Sequence, residues 1–580
     1  MISNQRTTFT FMNRPYAPQP DHDSPFGTVS LSWSGVTSEN VAAVWLLYHL
    51  TDHLSPVRIQ ELARQLDMAP RVRDGRTEEY TAYMQRIRDT YGIILSRNYL
   101  EHAAFTSAVR ALQPDFVFDN RTDEYNQLLR MRADGEFSGL KSLVPSLLSY
   151  QQVAESIIRN INADSMFDNP APLPTFAGGR LVRDTVGRFI FTRRQPLPPN
   201  WMEIGPLELK GHLYALPPAQ AAAFWQQQVK LDGVVSAASL QMVEEQLQEE
   251  RGKYVVGRPY TLEILSEVRE FRIMVGLQYM VRLAKACGID SPFEPVLSLP
   301  LGSNVVTLAE ITRMYETLVT GNRHDLTDGT ALAAGEGDSH TDPDSAAIIE
   351  RIETPEGRVV YTRSVHRVPV IHPKVAAAVS NILQNVIPYG TGKYALENVH
   401  LRSTDPGRNK TLAGMNLRYP LLGKTGTAND YRNAAFVGHV PVLAGDNQSL
   451  LSLRGGYTVG VYTGYDTNLA MVKRGTRVSG SVGALPAWSD IAQAILDTER
   501  IADRLDMVDL AFNGLSLQYP DVQQVFLPVD PRAGGAPVRL GSALRQTTAP
   551  SGPATLSFGE VVGGERFEPE RLFEPFWKTR

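Results

Sequence analysis

Residues 1–30 are rich in Pro, Asp and Asn and carry no sustained apolar period, so the pattern predicts loop there. A helical rhythm begins near Asn40 with "NVAAVWLLYHL" and dominates from about 51 to 285. "PVRIQELARQLDM" sets Ile59, Leu62, Ala63 and Leu66 on one face, and "SAASLQMVEEQLQEE" and "LEILSEVREFRIMVGLQYMVRLAKA" continue in the same way. A Pro-rich break at 168–176, followed by "GRLVRDTVGRFIFTRRQPLPP", predicts a short hairpin or linker. After Gly288 the character changes. Thr307, with Glu310 three residues on, predicts a capped helix start; 321–346 reads as loop; "IIERIETPEGRVVYTRS" reads as a hairpin about Pro355-Glu356-Gly357. "HPKVAAAVSNILQNVI" predicts a helix stopped by Pro388. Strands are predicted at 420–427, 434–441 and 457–463, close enough in sequence to be antiparallel neighbours. The stretch 501–580 is rich in Pro and Gly and says little.

At 580 residues the chain exceeds one ordinary core, so at least two domains are expected. Its 43% hydrophobic and 21% charged residues are ordinary for a globular protein. A net charge of -5 without a long basic run gives no electrostatic support for nucleic-acid binding. The single cysteine, Cys287, excludes an internal disulfide framework and a Cys-rich metal site. "MISNQRTTFTF" at the start lacks the charged region and apolar core of a signal peptide, and no apolar run approaches ~18 residues.

The candidate chemistry lies in "YPLLGKTGTANDYRNAAFVGHVP" (419–441), where a strand carries Lys424, Thr425, Gly426 and Thr427 side by side. An exposed edge strand favours Lys and Thr simply because they discourage edge pairing. The functional reading is an edge that pairs with an extended peptide. Lys424 then supplies charge for a terminal carboxylate, the threonine hydroxyls hydrogen-bond it, and Gly426 lets the ligand reach the backbone. "NVIPYGTGKYA" (385–395) stands before this stretch and "YTVGVYTGYDTN" (457–468) after it. Together with "NAAFVGHVPV", "LPAWSDIAQAIL" (485–496) and "SLPLGSNVVTLAEITRMYETLVTG" (298–321), the set resembles the transpeptidase domain of the penicillin-binding proteins, most of all the large bifunctional peptidoglycan synthases. The resemblance covers about 285–500. Asn433 stands where the family often has aspartate, and Ala435 replaces an aromatic.

The family also carries a Ser-x-Asn motif, and "FGTVSLSWSGVTSENVAAVWLLYHL" (26–50) resembles its setting, giving Ser38-Glu39-Asn40. Thr37 or Ser38 as a plain helix N-cap is the structural alternative. The family's first motif, Ser-x-x-Lys, pairs the nucleophile with its base one helical turn away. It should precede Ser38, yet residues 1–37 contain no lysine. The chain's one Ser-x-x-Lys, Ser138 to Lys141, comes too late and reads as a surface helix. The expectation is therefore a chain cut short at its N-terminus, its nucleophile and membrane anchor lying upstream.

What the resemblance implies is an α+β penicillin-binding, β-lactamase-like fold, an antiparallel sheet with helices, plus a mainly helical inserted domain. The expected parts are 1–50 and 259–500 for the transpeptidase domain, 51–258 for the insertion, and 501–580 for a C-terminal extension. The implied reaction is D,D-transpeptidation of D-alanyl-ended stem peptides in the periplasm or cell envelope. Ser38 would relay protons, Asn40 would orient the substrate amide, and Lys424 would bias the site toward carboxylate. Thr425, Gly426 and Thr427 would bind substrate, with the Thr427 N–H in the oxyanion hole. The implied partners are peptidoglycan stem peptides and β-lactams, with a protein partner for the insertion; no metal or organic cofactor is implied. Two alternatives stay open: a D-alanyl carboxypeptidase or β-lactam-recognising hydrolase of the same fold, and a catalytically dead binding or assembly module.

Overall fold

The computed structural model describes every residue except 21, 162–172, 174, 176–177, 257, 328–350, 363, 445–446, 520–523, 539–551, 563–565, 571–573 and 579–580. The chain divides into two compact units, Met1–Leu50 with Gly276–Arg580, and Thr51–Val275. The sequence placed the corresponding boundaries at 50 and 258. The second division falls instead inside a helix, Arg269–Ala286.

In the first unit, residues 1–30 contain short antiparallel pairs, Ile2–Ser3 with Thr28–Val29 and Phe9–Phe11 with Arg14–Tyr16, where loop was expected. They are too short to show a period. Helix α1 (Leu31–Thr37) starts where the Ser30 side chain accepts from the Trp33 N–H, and stops at Ser38, which is left-handed at φ 62°, ψ 49°. Helix α2 (Asn40–His49) follows after a single residue, Glu39. The N-cap alternative for Thr37 or Ser38 is thus corrected. The cap position is Glu39, it makes no side-chain cap bond, and Ser38 closes the preceding helix.

Helix α3 (Leu308–Thr320) begins with the predicted capping box of Thr307 and Glu310. Glu310 also accepts from the N–H of Asp290 at 2.9 Å, from the N–H of Ser291 at 2.7 Å and from the Ser291 hydroxyl at 2.8 Å. Burial opposes its ionisation, but the bonds donated by Thr307 and Ser291 win and hold the carboxyl at about 2, below its ordinary 4.5. Between those two values the unfolded chain binds more protons than the folded one. This contribution to stability is therefore complete above pH 4.5 and is lost as pH falls through 2. Glu310→Gln should lower the stability of the first unit at pH 7 and flatten its acid limb; urea titrations at pH 7 and at pH 3 check both.

Helix α4 (Pro373–Tyr389) runs past Pro388, which sits in its last turn, and ends at Gly390 rather than at the proline. The Val386 carbonyl accepts from the N–H of both Gly390 and Gly392 and closes the helix there. Part of the expected 321–346 loop is a strand, Asn322–Thr327, paired with Ser364–Pro369; its partner lies too far along the chain for local patterning to reveal. The rest of that expected loop, 328–346, lies outside the described residues. The hairpin forms, Arg351–Glu353 against Val359–Thr362.

The central sheet has the order β1 (Leu422–Thr427), β2 (Asn433–Ala444), β3 (Asn447–Gly464), β4 (Ser516–Gln518). The first three are antiparallel neighbours, and β4 runs parallel to β3. Helix α5 (Ala484–Thr498) packs on β2 and β3, its Trp488 fully buried against Phe436. With Leu383 and Ile387 of α4 and Leu422 of β1 they form one apolar core. Residues 501–580 are more structured than their composition suggests. Gln524–Asp530, Ala536–Pro537, Ala554–Val562 and Arg566–Pro569 make a second four-stranded sheet. That sheet braces α1 and α4: Ser30 N–H donates to Gly534 at 2.9 Å, the hydroxyls of Ser32 and Thr555 lie 2.6 Å apart, and Asn385 donates to the Ala554 carbonyl at 2.9 Å.

The second unit is mainly helical, and it also holds a five-stranded sheet, which includes the predicted hairpin Arg180–Asp184 with Phe189–Thr192. The preceding Pro-rich break falls largely outside the described residues.

Candidate active site

Strand β1 lies at an edge of the central sheet and rises out of the core along its length. Leu422 and Gly423 are buried, Lys424 and Thr425 half-buried, Gly426 and Thr427 exposed. Gly423 is dictated by packing, since a Cβ there would sit 2.4 Å from the Phe436 ring. Gly426 is different. A Cβ there would meet nothing nearer than Ala435 at 3.8 Å, so the protein's own packing has no need of a bare backbone at this point.

The Lys424 ammonium donates to the Ser38 hydroxyl, across 386 residues of sequence, and to the Thr425 carbonyl at 3.3 Å. Ser38 meets it from a left-handed backbone, a conformation that costs a residue with a side chain about 1–2 kcal/mol and clusters at functional sites. Asn40, two residues on, donates its amide to the Gln19 carbonyl at 2.8 Å, so its N–H₂ group is engaged with the N-terminal segment rather than with Lys424.

A third segment closes the arrangement. In Gly390-Thr391-Gly392 the Thr391 hydroxyl lies 2.6 Å from that of Thr425. A Cβ on Gly390 would approach the Val36 carbonyl oxygen of α1 to 2.3 Å and the Val386 carbonyl oxygen to 3.0 Å. Both are backbone atoms that cannot swing away, so the bare Gly390 lets the Thr391 loop seat against α1. Gly390→Ala should push the two apart and weaken any ligand bound along β1 by about tenfold, the scale of one good hydrogen bond to a charged group. Calorimetric titration of a D-alanyl-ended tripeptide into wild type and variant reads the difference.

The hydroxyls are oriented for an anion. Thr427 Oγ1 accepts from the Gly480 N–H at 3.0 Å, which leaves its own proton to donate outward. Thr391 and Thr425 hold two hydroxyl protons and need one between them, so the pair presents a second outward donor. An ammonium, two hydroxyl protons and a strand edge that pairs with no further strand among the described residues together suit an extended peptide that ends in a carboxylate.

Of the residues predicted from sequence, the structure brings together Ser38, Lys424, Thr425, Gly426 and Thr427 and turns the Asn40 amide toward Gln19. Ser138 and Lys141 belong to the second unit. There the Ser138 hydroxyl donates to the Ala133 carbonyl at 3.0 Å and Lys141 pairs with Glu244 at 2.8 Å, so each is bonded to another group. Sequence reasoning missed Thr391 and Gly480 as members of the site. The Gly-Thr-Gly around Thr391 was a visible signal; nothing singled out Gly480. Among the described residues no group of three or more His, Cys, Asp or Glu could hold a metal, and no helix is long and apolar enough to cross a membrane.

No protein-family model matches the chain. Curated relatives are penicillin-binding proteins 1A. That of Rickettsia typhi is 26% identical over 222 residues, which is 37% of this chain and 23% of the relative. That of Aquifex aeolicus is 25% identical over 223 residues, 38% and 23% respectively. The chain thus spans under a quarter of the length of the relatives it matches. A crystal structure of penicillin-binding protein 1A from Haemophilus influenzae aligns with 53% of this chain and 39% of its own at 17% identity and a TM-score of 0.32, too weak a likeness to carry an argument. The fold is α+β. The sequence relatives support a penicillin-binding-protein transpeptidase-type domain within the chain.

Proposed function

We propose that the first unit is the substrate-binding part of a serine D,D-transpeptidase that cross-links D-alanyl-ended stem peptides in the cell envelope. The observation that carries this is the meeting of three remote segments, Ser38, Thr391 and Lys424-Thr425, at one sheet edge. In this reading the stem peptide pairs with β1 and its terminal carboxylate is held by Lys424 and the hydroxyls of Thr425 and Thr427. The Thr427 N–H helps to stabilise the tetrahedral oxyanion, and Ser38, bonded to Lys424, passes protons between leaving group and acceptor amine. Asn40 would face the substrate amide with its carbonyl oxygen, since its N–H₂ is held by Gln19. β-Lactams would enter as mimics of the same peptide. No serine of the chain is assigned as the acyl-enzyme nucleophile, because its single Ser-x-x-Lys, Ser138–Lys141, lies in the second unit with both side chains bonded elsewhere. The second unit would serve as a partner-binding module.

The experiment uses residues 1–580 directly. A tripeptide ending in D-alanyl-D-alanine should bind reversibly, while a fluorescent penicillin should leave no covalent band. Absence of peptide binding would remove the carboxylate-site reading. A labelled Ser138 would move the nucleophile into the second unit and overturn the assignment.

A further inference from the structure

We propose that Glu39 is a positioning residue for Ser38: its buried carboxylate pins the left-handed turn that aims the serine hydroxyl at Lys424. The proposal rests on the reading of Ser38 and Lys424 as a working pair. Ser38 and Asn40 are half-buried, and Glu39 between them is only 4% exposed, so the turn is pegged inward at its middle residue. The backbone bonds of the turn are ordinary: the N–H groups of Ser38 and Glu39 both donate to the Ser34 carbonyl. They close α1 without compensating the cost of a side chain in the left-handed region.

Space alone would be filled by an apolar residue. A carboxylate buried here is costly unless several donors meet it, and they do. The Asn4 amide donates to Oε2 at 2.8 Å, and the Ser24 hydroxyl donates to Oε1 at 3.1 Å. Thr37 Oγ1 lies 3.0 Å from Oε1 and 2.9 Å from the Trp33 carbonyl, and its one proton serves either. His22 Nε2 stands 3.4 Å from Oε1. Asn4, His22 and Ser24 all come from the N-terminal segment, and Gln19 of that segment takes the Asn40 amide. The segment before α1 is thereby tied to both residues that follow Ser38. A neutral amide at 39 keeps the size but presents N–H₂ to donors that require an oxygen. The peg then loosens, the turn relaxes toward an ordinary conformation, and the serine hydroxyl leaves the ammonium.

The test reads the Ser38–Lys424 contact apart from stability and apart from ligand binding. Lysine side chains carrying ¹³C at Cε are followed by NMR in the full chain, with the Lys424 signal assigned by its loss in Lys424→Arg. Ser38→Ala should shift that signal, Glu39→Gln should shift it to the same place, and the double variant should move it no further. Tripeptide affinity in Glu39→Gln should fall about tenfold. A residue that merely supported the fold would lower the unfolding midpoint and leave the folded-state signal in place. An unmoved Lys424 signal in folded Glu39→Gln, or shifts that add in the double variant, overturns the proposal. Should Glu39→Gln not fold, Ser24→Ala decides: it removes one donor and should move the signal part of the way, and no movement counts against the proposal. If wild type binds no tripeptide while the NMR cycle behaves as described, the site reading falls and the positioning role of Glu39 stands.

Discussion

Lys424→Ala should leave the chain folded and abolish most of its affinity for a D-alanyl-ended peptide. The side chain is half-buried in the middle of an edge strand, and among its bonds are those to the Ser38 hydroxyl and to the Thr425 carbonyl. It lies outside the apolar core of the unit, so its effect on stability should stay within about 0.5 kcal/mol. The ligand loses far more, because a carboxylate docked on β1 would face hydroxyls alone. Charge-assisted donors at such a site are typically worth about 100-fold or more. Lys424→Arg should recover only part of this, since the planar fork reaches farther and does not direct one proton to Ser38. Calorimetry with the tripeptide, beside a thermal melt of each variant, checks both halves. A variant that melts far below wild type would make Lys424 a structural residue.

The largest loss of stability is expected at Trp488. It is fully buried, its ring centroid lies 4.8 Å from that of Phe436, and its N–H donates to the Val459 carbonyl at 3.1 Å. It occupies a notch that exists because residue 438 is glycine, where a Cβ would lie 2.5 Å from the indole. Trp488→Ala should cost about 3–5 kcal/mol from lost burial and the cavity it leaves, with the lost indole hydrogen bond adding to it. That is much of a typical domain's total of 5–15 kcal/mol. Trp488→Phe should cost less, because most of the volume stays. Urea unfolding, fitted to the transition of the first unit with an unchanged slope, reads the difference. Tripeptide binding, measured well below the midpoint, should survive in both, because the indole touches β2 and β3 rather than the ligand edge.

The sequence made some of this legible because some of it is local. The capping box of Thr307 and Glu310 is two residues three apart, and the three long strands lie in consecutive order with clear apolar runs. Lys424 and its threonines could be read together because they are adjacent. The pairing of Lys424 with Ser38 rested on the resemblance alone, since no pattern in one chain connects residues 386 apart. The left-handed Ser38 was hidden, because serine gives no sign of it as glycine would. Glu39 was passed over as the variable middle of a motif, although a carboxylate beside the apolar face of "NVAAVW" was already an oddity. The Pro- and Gly-rich tail looked uninformative because Pro and Gly interrupt the apolar pattern of strands that pair with one another.

That tail bears on how the chain must be born. Helix α1 takes its hydrogen bonds from Gly534 and Thr555, and Trp33 and Val36 share a small apolar cluster with Val529. Ribosomes deliver residues in order at about 5–20 per second. Ser38 therefore leaves the tunnel roughly half a minute or more before the strands that will brace its helix exist. During that interval the second unit, Thr51–Val275, has its whole sequence available, while α1 waits for Val529, Gly534 and Thr555. The catalytic rim proposed here gains its brace only once residues 529–555 have left the tunnel. A ribosome that stalls before Thr555 would leave a product holding both Ser38 and Lys424 and lacking the brace that brings them together.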